Sequence, residues 1–200
     1  MKALRFVGSS LDDLKNFPAD ARRDAGFELD AVQRGLMPSD FKPILAVGPG
    51  AYEIRVRVLG EWRVIYVARF EQAIYVLHAF QKKTPKTRKE DVELAARRYK
   101  QIGDRSMTKE AIIPSSGNVF ADLGFPSEKA ALLSMRAQLM ATLRERITEA
   151  GWTQVQAAER LGIGQSRVSD LMRNKYEKFS LDMLVTLATR AGRRVELALV

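Results

Sequence analysis

Basic side chains recur along the predicted strands of the first half of the chain. They are Arg55, Arg57, Arg63, Lys82 and Lys83. In YEIRVRV (52–58) apolar and charged residues alternate strictly, so the two arginines there share one strand face with Glu53. The third arginine lies on the next predicted strand, and the two lysines follow the end of the strand after that. Cations gathered on a sheet face suit the phosphates of RNA, although such a face can also serve only to keep a sheet soluble.

His78 is the single histidine of the chain, which has no cysteine. On the predicted strand 73–81, alternation places His78 on one face with Ile74, Val76 and Phe80. A histidine in such surroundings is more often a hydrogen-bonded core residue than a proton-transfer group, so His78 is a weak catalytic candidate. Disulfides and thiolate chemistry are excluded, and a zinc site would need carboxylates almost alone. The sequence therefore predicts no metal site and no cofactor.

A second set of polar residues follows a spacing that is typical of DNA recognition. In WTQVQAAERLGIGQSRVSDLMRNK (152–175), a helix capped by Thr153 ends at Leu161, a Gly-Ile-Gly turn follows, and a second helix spans 165–173. This is helix-turn-helix spacing, in which the second helix enters the major groove and Gln, Arg and Ser contact bases or phosphates. The candidate DNA contacts are Thr153, Gln154, Gln165, Ser166, Arg167, Ser169, Asp170 and Arg173. The alternative is a packed helix pair without a role in DNA binding.

The elements that must position the first set form a small α+β domain. Strands are predicted at 2–7, 52–58, 62–70 and 73–81, and helices from Ser9, over 18–34 and from about Arg88. The last three strands follow one another through tight turns, which indicates an antiparallel meander. We expect the order β-α-α-β-β-β-α, a small antiparallel sheet with the helices on one face and the arginines on the other.

The second half is predicted to be all-α apart from its end. The stretches 127–151 and 179–192 are helical patterns, with Gly151 ending the first and Ser180 capping the second. RRVELALV (193–200) alternates like a short terminal strand, which can pair with its copy in a second chain. A homodimer of this kind would read a palindromic operator.

Charge and hydropathy limit the class of protein. The formal net charge of +9 favours polyanionic partners through counterion release. No apolar stretch approaches the length of a bilayer span, and the N-terminus lacks the pattern of a secretion signal. We therefore predict a cytoplasmic protein without a membrane partner.

The first half resembles the RelE/HigB superfamily of toxins, in its phage-derived HigB-like branch. The resemblance rests on YEIRVRVLGEWRVIYVARF (52–70) and IYVLHAFQKKTPKTRKEDVELAARRY (74–99), and it covers about residues 1–104. It implies a RelE-like fold and a metal-free endoribonuclease that cuts mRNA in the ribosomal A site, where the ribose 2′-hydroxyl attacks the adjacent phosphate. The sheet arginines and the lysine pair match the cationic positions of this family. Many relatives carry a histidine or tyrosine near the C-terminus as the proton-transfer residue. Here Tyr99 lies in the last predicted helix, too far from the sheet face, so the general acid and base stay open.

The second half resembles the XRE/Cro-like domain of HigA-type antitoxins, through TQ…AA..LG…SRVSDLMR. SGNVFADLGFPSEKA (116–130) is similar to the antitoxin segment that contacts the toxin. The apolar residues Phe120, Leu123 and Phe125 lie in a Gly- and Pro-punctuated region that can hardly form a core alone. The resemblance implies that they neutralise the toxin; the alternative is that they pack on residues from 132 onward.

The two resemblances suggest a toxin and its antitoxin joined end to end, with Met107 as the remnant of the antitoxin's start. The expected domains are a toxin at 1–104, a linker and toxin-contacting segment at 105–126, and an antitoxin at 127–200. The implied function is a type II toxin–antitoxin module whose partners are mRNA on the ribosome, operator DNA and the other half of the chain. The alternative is a transcription regulator with an inactive toxin-like domain. DNA binding through the first half as well is disfavoured, because no recognition-helix pattern lies there.

Overall fold

The computed structural model describes residues 1–103 and 110–196. The chain divides into two compact units, Met1–Ala130 and Ala131–Val200. The predicted antitoxin start at Met107 lies outside the described residues, as do the last four residues of the predicted terminal strand; residues 193–196 have no regular secondary structure. Across 1–103 and 110–196, none of the helices combines the length and apolar character that crossing a bilayer requires.

The described residues of the first unit form a mixed six-stranded sheet with helices on it. The strands are β1 (Ala3–Val7), β2 (Phe41–Pro43), β3 (Ala51–Val56), β4 (Trp62–Val67), β5 (Ala73–Gln81) and β6 (Ile112–Pro114). The helices are α1 (Ser10–Lys15), α2 (Ala19–Gln33), α3 (Lys89–Gly103) and α4 (Val119–Asp122). The strand order is β2-β3-β4-β5-β1-β6.

The predicted meander of β3, β4 and β5 is antiparallel as expected. The sheet as a whole is mixed, because β1 lies beside β5 and runs parallel to it, with Ala3 opposite Ala73. Two edge strands, β2 and β6, were not expected from the sequence. Each has three residues and ends in proline, so neither offers an alternating pattern long enough to recognise. The predicted α+β class is confirmed.

The helices do not all lie on one face of the sheet, in contrast to the expectation. On one face α2 packs against β3, and the Phe17 ring lies 4.6 Å from the Trp62 ring. On the other face, Ile65 and Val67 share a core with Ala95 of α3. The reason is that β4 is buried along its whole length, so both of its faces need a covering layer. The face that carries the predicted arginines is therefore partly covered by α3.

The second unit is helical, as predicted. Its elements are α5 (Ser127–Glu149), which begins just before the unit boundary, α6 (Gln154–Leu161), α7 (Gln165–Met172), a short 3-10 helix (Tyr176–Lys178) and α8 (Leu181–Arg190). Thr153 caps α6 in a reciprocal capping box with Gln156. Gly162 ends α6 with a positive φ of 65°, a conformation that favours glycine, and the chain turns there into α7.

Candidate nucleic-acid interfaces and the docking segment

Glu53 is the centre of the predicted basic sheet face. Its side chain is 1% exposed, and its Oε1 atom lies 3.4 Å from Arg63 Nε, 3.6 Å from Arg55 Nε and 3.6 Å from Lys42 Nζ. Thr87 donates a hydrogen bond to the other oxygen at 3.2 Å. Arg55 and Arg63 are direct cross-strand neighbours, and like charges in that position repel. The Glu53 carboxylate between them offsets this repulsion and holds both guanidinium groups.

Arg63 lies in the protein interior rather than on an exposed face. Its side chain is 3% exposed and is held by Glu53, by the carbonyl oxygen of Trp62 and by the carboxylate of Glu61. A guanidinium in this position cannot reach RNA phosphate without leaving these partners. Its predicted direct contact with RNA does not fit this arrangement.

The accessible cations lie at the end of the strands, around Glu61. Arg57 is 61% exposed and lies 3.1 Å from Asp40 and 3.9 Å from Glu61. Glu61 lines an open groove of about 340 Å³ together with Lys82, Lys83, Thr84 and Pro85. The hydrogen bond and positive charge of Arg63 hold the pKa of the Glu61 carboxyl below its usual range. Of the predicted basic set, Arg57, Lys82 and Lys83 are thus the members placed to meet a polyanion.

His78 lies apart from this groove, between two carboxylates. Its Nε2 atom is 3.1 Å from Asp91 and its Nδ1 atom 3.4 Å from Asp13, and the ring is buried. The sequence had placed it on the face of Ile74 and Val76. A β-bulge moves it to the opposite face, because the register shifts so that Val76 lies opposite Tyr66 while His78 lies opposite Ile65.

Sequence reasoning missed the carboxylates that partner the basic residues. Glu53 shares a strand face with two arginines in the sequence pattern, but its burial depends on partners that are distant in sequence, such as Lys42 and Thr87. Glu61 and Asp40 stand in turns, where an acidic residue by itself indicates only solvent exposure. The one available signal in the sequence was charge. Glu53 shares a strand face with Arg55, and Arg63 follows on the next strand, so a carboxylate between the two arginines could have been expected.

Residues 110–125, which we call the docking segment, add a strand and a helix to the first unit. The strand is β6, which pairs antiparallel with β1. Just before it, Arg98 of α3 donates to Glu110 Oε2 from Nε at 3.0 Å and from Nη2 at 2.8 Å. Gln101 contacts the backbone of Glu110 twice, donating to its oxygen at 2.7 Å and accepting from its nitrogen at 3.1 Å. The start of the docking segment is therefore fixed to α3 by side-chain and main-chain contacts together.

Helix α4 of the docking segment packs on α2. The Phe120 ring is fully buried, 5.0 Å from the Phe27 ring and directly over Gly26. Leu123 also lies over Gly26, and Phe125 is buried with the Arg22 guanidinium 4.8 Å from its ring. The three predicted toxin-contacting residues thus lie against α2 of the first unit. Asn118 caps α4 by accepting from the amide of Phe120 at 3.0 Å.

The predicted DNA-contact residues divide into free and engaged groups. The exposed ones are Thr153, Gln154, Gln165, Ser166 and Arg173, while Arg167, Ser169 and Asp170 are half-buried. Arg167 donates to the carbonyl oxygen of Lys178 and lies over the Phe179 ring at 5.6 Å. Asp170 forms an ion pair with Lys175 at 2.9 Å, which lowers the pKa of its carboxyl. Thr153 is exposed, but its hydroxyl caps α6 by accepting from the amide of Gln156. Gln154 at the start of α6, Gln165 and Ser166 at the start of α7, and Arg173 after it are therefore the exposed polar residues that face solvent beside the helix-turn-helix turn.

Two known families match this chain. Residues 12–100 match the family described as phage derived protein Gp49-like (DUF891), and residues 119–199 match a helix-turn-helix domain family. No curated protein matches the chain. Strands β2 to β5 and the basic groove lie within the first match, and α6 and α7 lie within the second. The chain therefore carries a phage-derived Gp49-like domain, of the RelE-like toxin family, followed by an XRE-type helix-turn-helix domain, an order consistent with a fused toxin and antitoxin.

Proposed function

We propose that this protein is a type II toxin–antitoxin module in a single chain. The N-terminal domain is a ribosome-dependent mRNA endonuclease, the docking segment neutralises it, and the C-terminal domain binds operator DNA and represses its own promoter. The observation that carries the proposal is the docking segment itself. A stretch that matches the start of the helix-turn-helix family from residue 119 onward is built into the core of the toxin-like domain.

Neutralisation by the docking segment is favoured by its buried area and its short connection. Fully burying a phenylalanine contributes about 1.5–3 kcal/mol, and Phe120 and Phe125 are both buried. A short tether holds a segment near its site at an effective concentration on the order of millimolar. Docking within one chain should therefore predominate over docking between chains.

RNA contact by the N-terminal domain is supported by the groove that Glu61, Lys82 and Lys83 line. The Arg57 side chain projects next to it and is mostly exposed. The groove lies at the end of β3–β5, whereas β6 lies at the far edge of the sheet. The docking segment therefore leaves the groove open, and its effect on cleavage would act through the fold of the domain or by excluding the ribosome.

A second function remains open because Arg63 is buried. A DNA-binding regulator whose toxin-like domain has lost nuclease activity would tolerate a central arginine engaged by Glu53 and Glu61. Such a protein would use the same helix-turn-helix domain, a homodimer and a palindromic operator. RNA cleavage separates the two functions.

The experiment compares residues 1–104 with the full chain after induction in cells. Growth is followed together with the 5′ ends of translated transcripts. The proposal predicts arrest and new transcript ends from the fragment and neither from the full chain. A fragment that is soluble and folded by circular dichroism, yet harmless and without cleavage, would leave the regulator as the function.

A further inference from the structure

In the groove at the end of β3–β5, the half-exposed carboxylate of Glu61 lies between the cationic side chains of Arg57 and Lys82. Val56 lies opposite Trp62 and Trp62 opposite Gln81, so the next positions bring Arg57, Glu61 and Lys82 side by side. The amide of Lys82 donates to the main-chain oxygen of Glu61 at 2.7 Å, and Glu61 Oε1 lies 3.9 Å from Arg57 Nε. A phosphate held by Arg57 or Lys82 would therefore lie beside the Glu61 carboxylate.

We propose that Glu61 accepts the 2′-hydroxyl proton when the N-terminal domain cleaves RNA. The assignment rests on the endonuclease function proposed above and deepens it, because it names a substrate that must carry a free 2′-hydroxyl beside a phosphodiester. Arg63 binds one carboxylate oxygen, Oε2, whereas the other, Oε1, has the longer approach of 3.9 Å to Arg57 Nε, and the side chain is 47% exposed beside the groove. The Glu61 carboxyl is ionised at neutral pH and so is in the form that accepts a proton; Arg63 holds its pKa below the ordinary value, which makes it a weaker base whose contribution comes from its position.

The step balances with groups that line the groove. The Glu61 carboxylate takes the proton from the 2′-hydroxyl, and the 2′ oxygen forms a bond to the adjacent phosphorus. The bond from phosphorus to the 5′ oxygen breaks, and that oxygen takes a proton from the ammonium group of Lys82 or Lys83. Arg57 neutralises the charge that develops on the phosphorane. The products are a 2′,3′-cyclic phosphate and a 5′-hydroxyl, and water returns the proton from Glu61 to the lysine.

The other candidates for this role are occupied. The Glu53 carboxylate is buried among Lys42, Arg55 and Arg63. His78 is buried between two carboxylates, away from the groove. The hydroxyl of Tyr99 donates to the carbonyl oxygen of Pro49. Each would have to break contacts within the fold before it could take a proton from RNA.

Arg63 then acts as a positioning residue. It holds Oε2 of Glu61 from the interior side, while Glu53 and the carbonyl oxygen of Trp62 hold Arg63 itself. This fixes the rotamer of an otherwise mobile surface carboxylate. The interior arginine thus contributes to cleavage without touching RNA.

The test uses the full chain carrying Phe120→Ala, which loosens the docking segment, with and without Glu61→Gln. The first measurement is cleavage of a translated mRNA on ribosomes. The second is binding of the protein to the same mRNA carrying a 2′-deoxy nucleotide at the cleaved position, which cannot be cleaved. Glu61→Gln keeps the shape and removes the proton acceptor, so cleavage should fall at least about 100-fold. Binding of the deoxy mRNA should stay equal or become tighter, because a negative charge beside phosphate is lost.

Two further variants are measured in the same background: Glu61→Asp, which keeps a carboxylate at position 61, and Glu71→Gln, which is the control. Glu61→Asp should restore part of the cleavage, which a purely structural role of the side chain would not predict. Glu71→Gln, at an exposed carboxylate in the turn before β5, should leave cleavage unchanged. Cleavage by Glu61→Gln within about threefold of its parent would overturn the assignment of Glu61 alone. Absence of cleavage by the parent chain and by residues 1–104 would overturn the endonuclease function, and the assignment with it.

Discussion

Gly26→Ala should weaken the docking of residues 110–125, although alanine has a higher helix propensity than the glycine it replaces in α2. A Cβ at position 26 would lie 2.8 Å from Cε1 and 2.9 Å from Cδ1 of the Phe120 ring, and 3.2 Å from Cδ1 of Leu123. Distances below 3.0 Å force a shift, and a buried ring has little room to make one. Overpacking of this kind costs about 1–3 kcal/mol.

The effect of Gly26→Ala on the stability of the first unit should have the opposite sign when the Phe120 ring is absent. Gly26 lies inside α2, and alanine in a helix is more favourable than glycine by about 1 kcal/mol. In a Phe120→Ala background, the two contacts below 3.0 Å are gone and the 3.2 Å contact with the flexible Leu123 side chain remains, so Gly26→Ala should stabilise the first unit by up to about 1 kcal/mol. The double-mutant cycle should give a coupling free energy of about 1–3 kcal/mol between positions 26 and 120.

Hydrogen exchange of the Ser115 amide is a suitable assay. This amide donates to the carbonyl oxygen of Leu4 at 2.9 Å and so reports the opening of the docking segment. Gly26→Ala should lower its protection, and Gly103→Ala, at the end of α3 with nothing within 4 Å of an added Cβ, should leave it unchanged. Equal stabilisation by Gly26→Ala in both backgrounds, with undiminished protection of Ser115, would refute the packing of Phe120 on α2.

Three further predictions concern other parts of the chain. Arg63→Ala removes a buried partner of Glu53 and should destabilise the first unit by about 3–5 kcal/mol, so thermal melts should show loss of fold together with loss of activity; a native-like melt would contradict the interior role. Arg173→Ala, at an exposed cation after α7, should weaken operator binding and lower the slope of log affinity against log salt by about one in gel shifts, and an unchanged slope would remove Arg173 from the interface. Burial raises the pKa of Tyr66 above its ordinary value of 10, so the folded state keeps the neutral phenol and its stability should fall as pH rises above 10, where the unfolded chain ionises. Tyr66→Phe should make the free energy of unfolding, measured by urea denaturation, less dependent on pH in that range, and an equal dependence in both proteins would refute this.

The regular parts of the fold could be predicted because they carry periodic patterns. Strict alternation in 52–58 and the apolar run in 62–70 indicated β3 and a central β4, and the capping residue Thr153 and the Gly162 turn indicated α6 and α7. These signals are local, so a single sequence is enough to recognise them.

Features that depend on distant contacts could not be predicted in the same way. The bulge in β5 reverses the face of His78, and nothing in the residues around Leu77 announces it. The burial of Arg63 depends on Glu53 and on the helix layer that covers its side of the sheet. The docking segment was recognised as apolar, but its contact depends on Gly26, where the missing side chain leaves room for the Phe120 ring.

Neutralisation of the N-terminal domain by the docking segment can be measured directly. The most direct measurement adds residues 105–200 to residues 1–104 during cleavage of translated mRNA, with wild-type and Phe120→Asp versions of the added fragment. Inhibition should be complete near equimolar wild-type fragment and strongly weakened by Phe120→Asp, because a charge would be buried against Phe27. Undiminished cleavage in excess wild-type fragment, or equal inhibition by both versions, would contradict neutralisation by the docking segment.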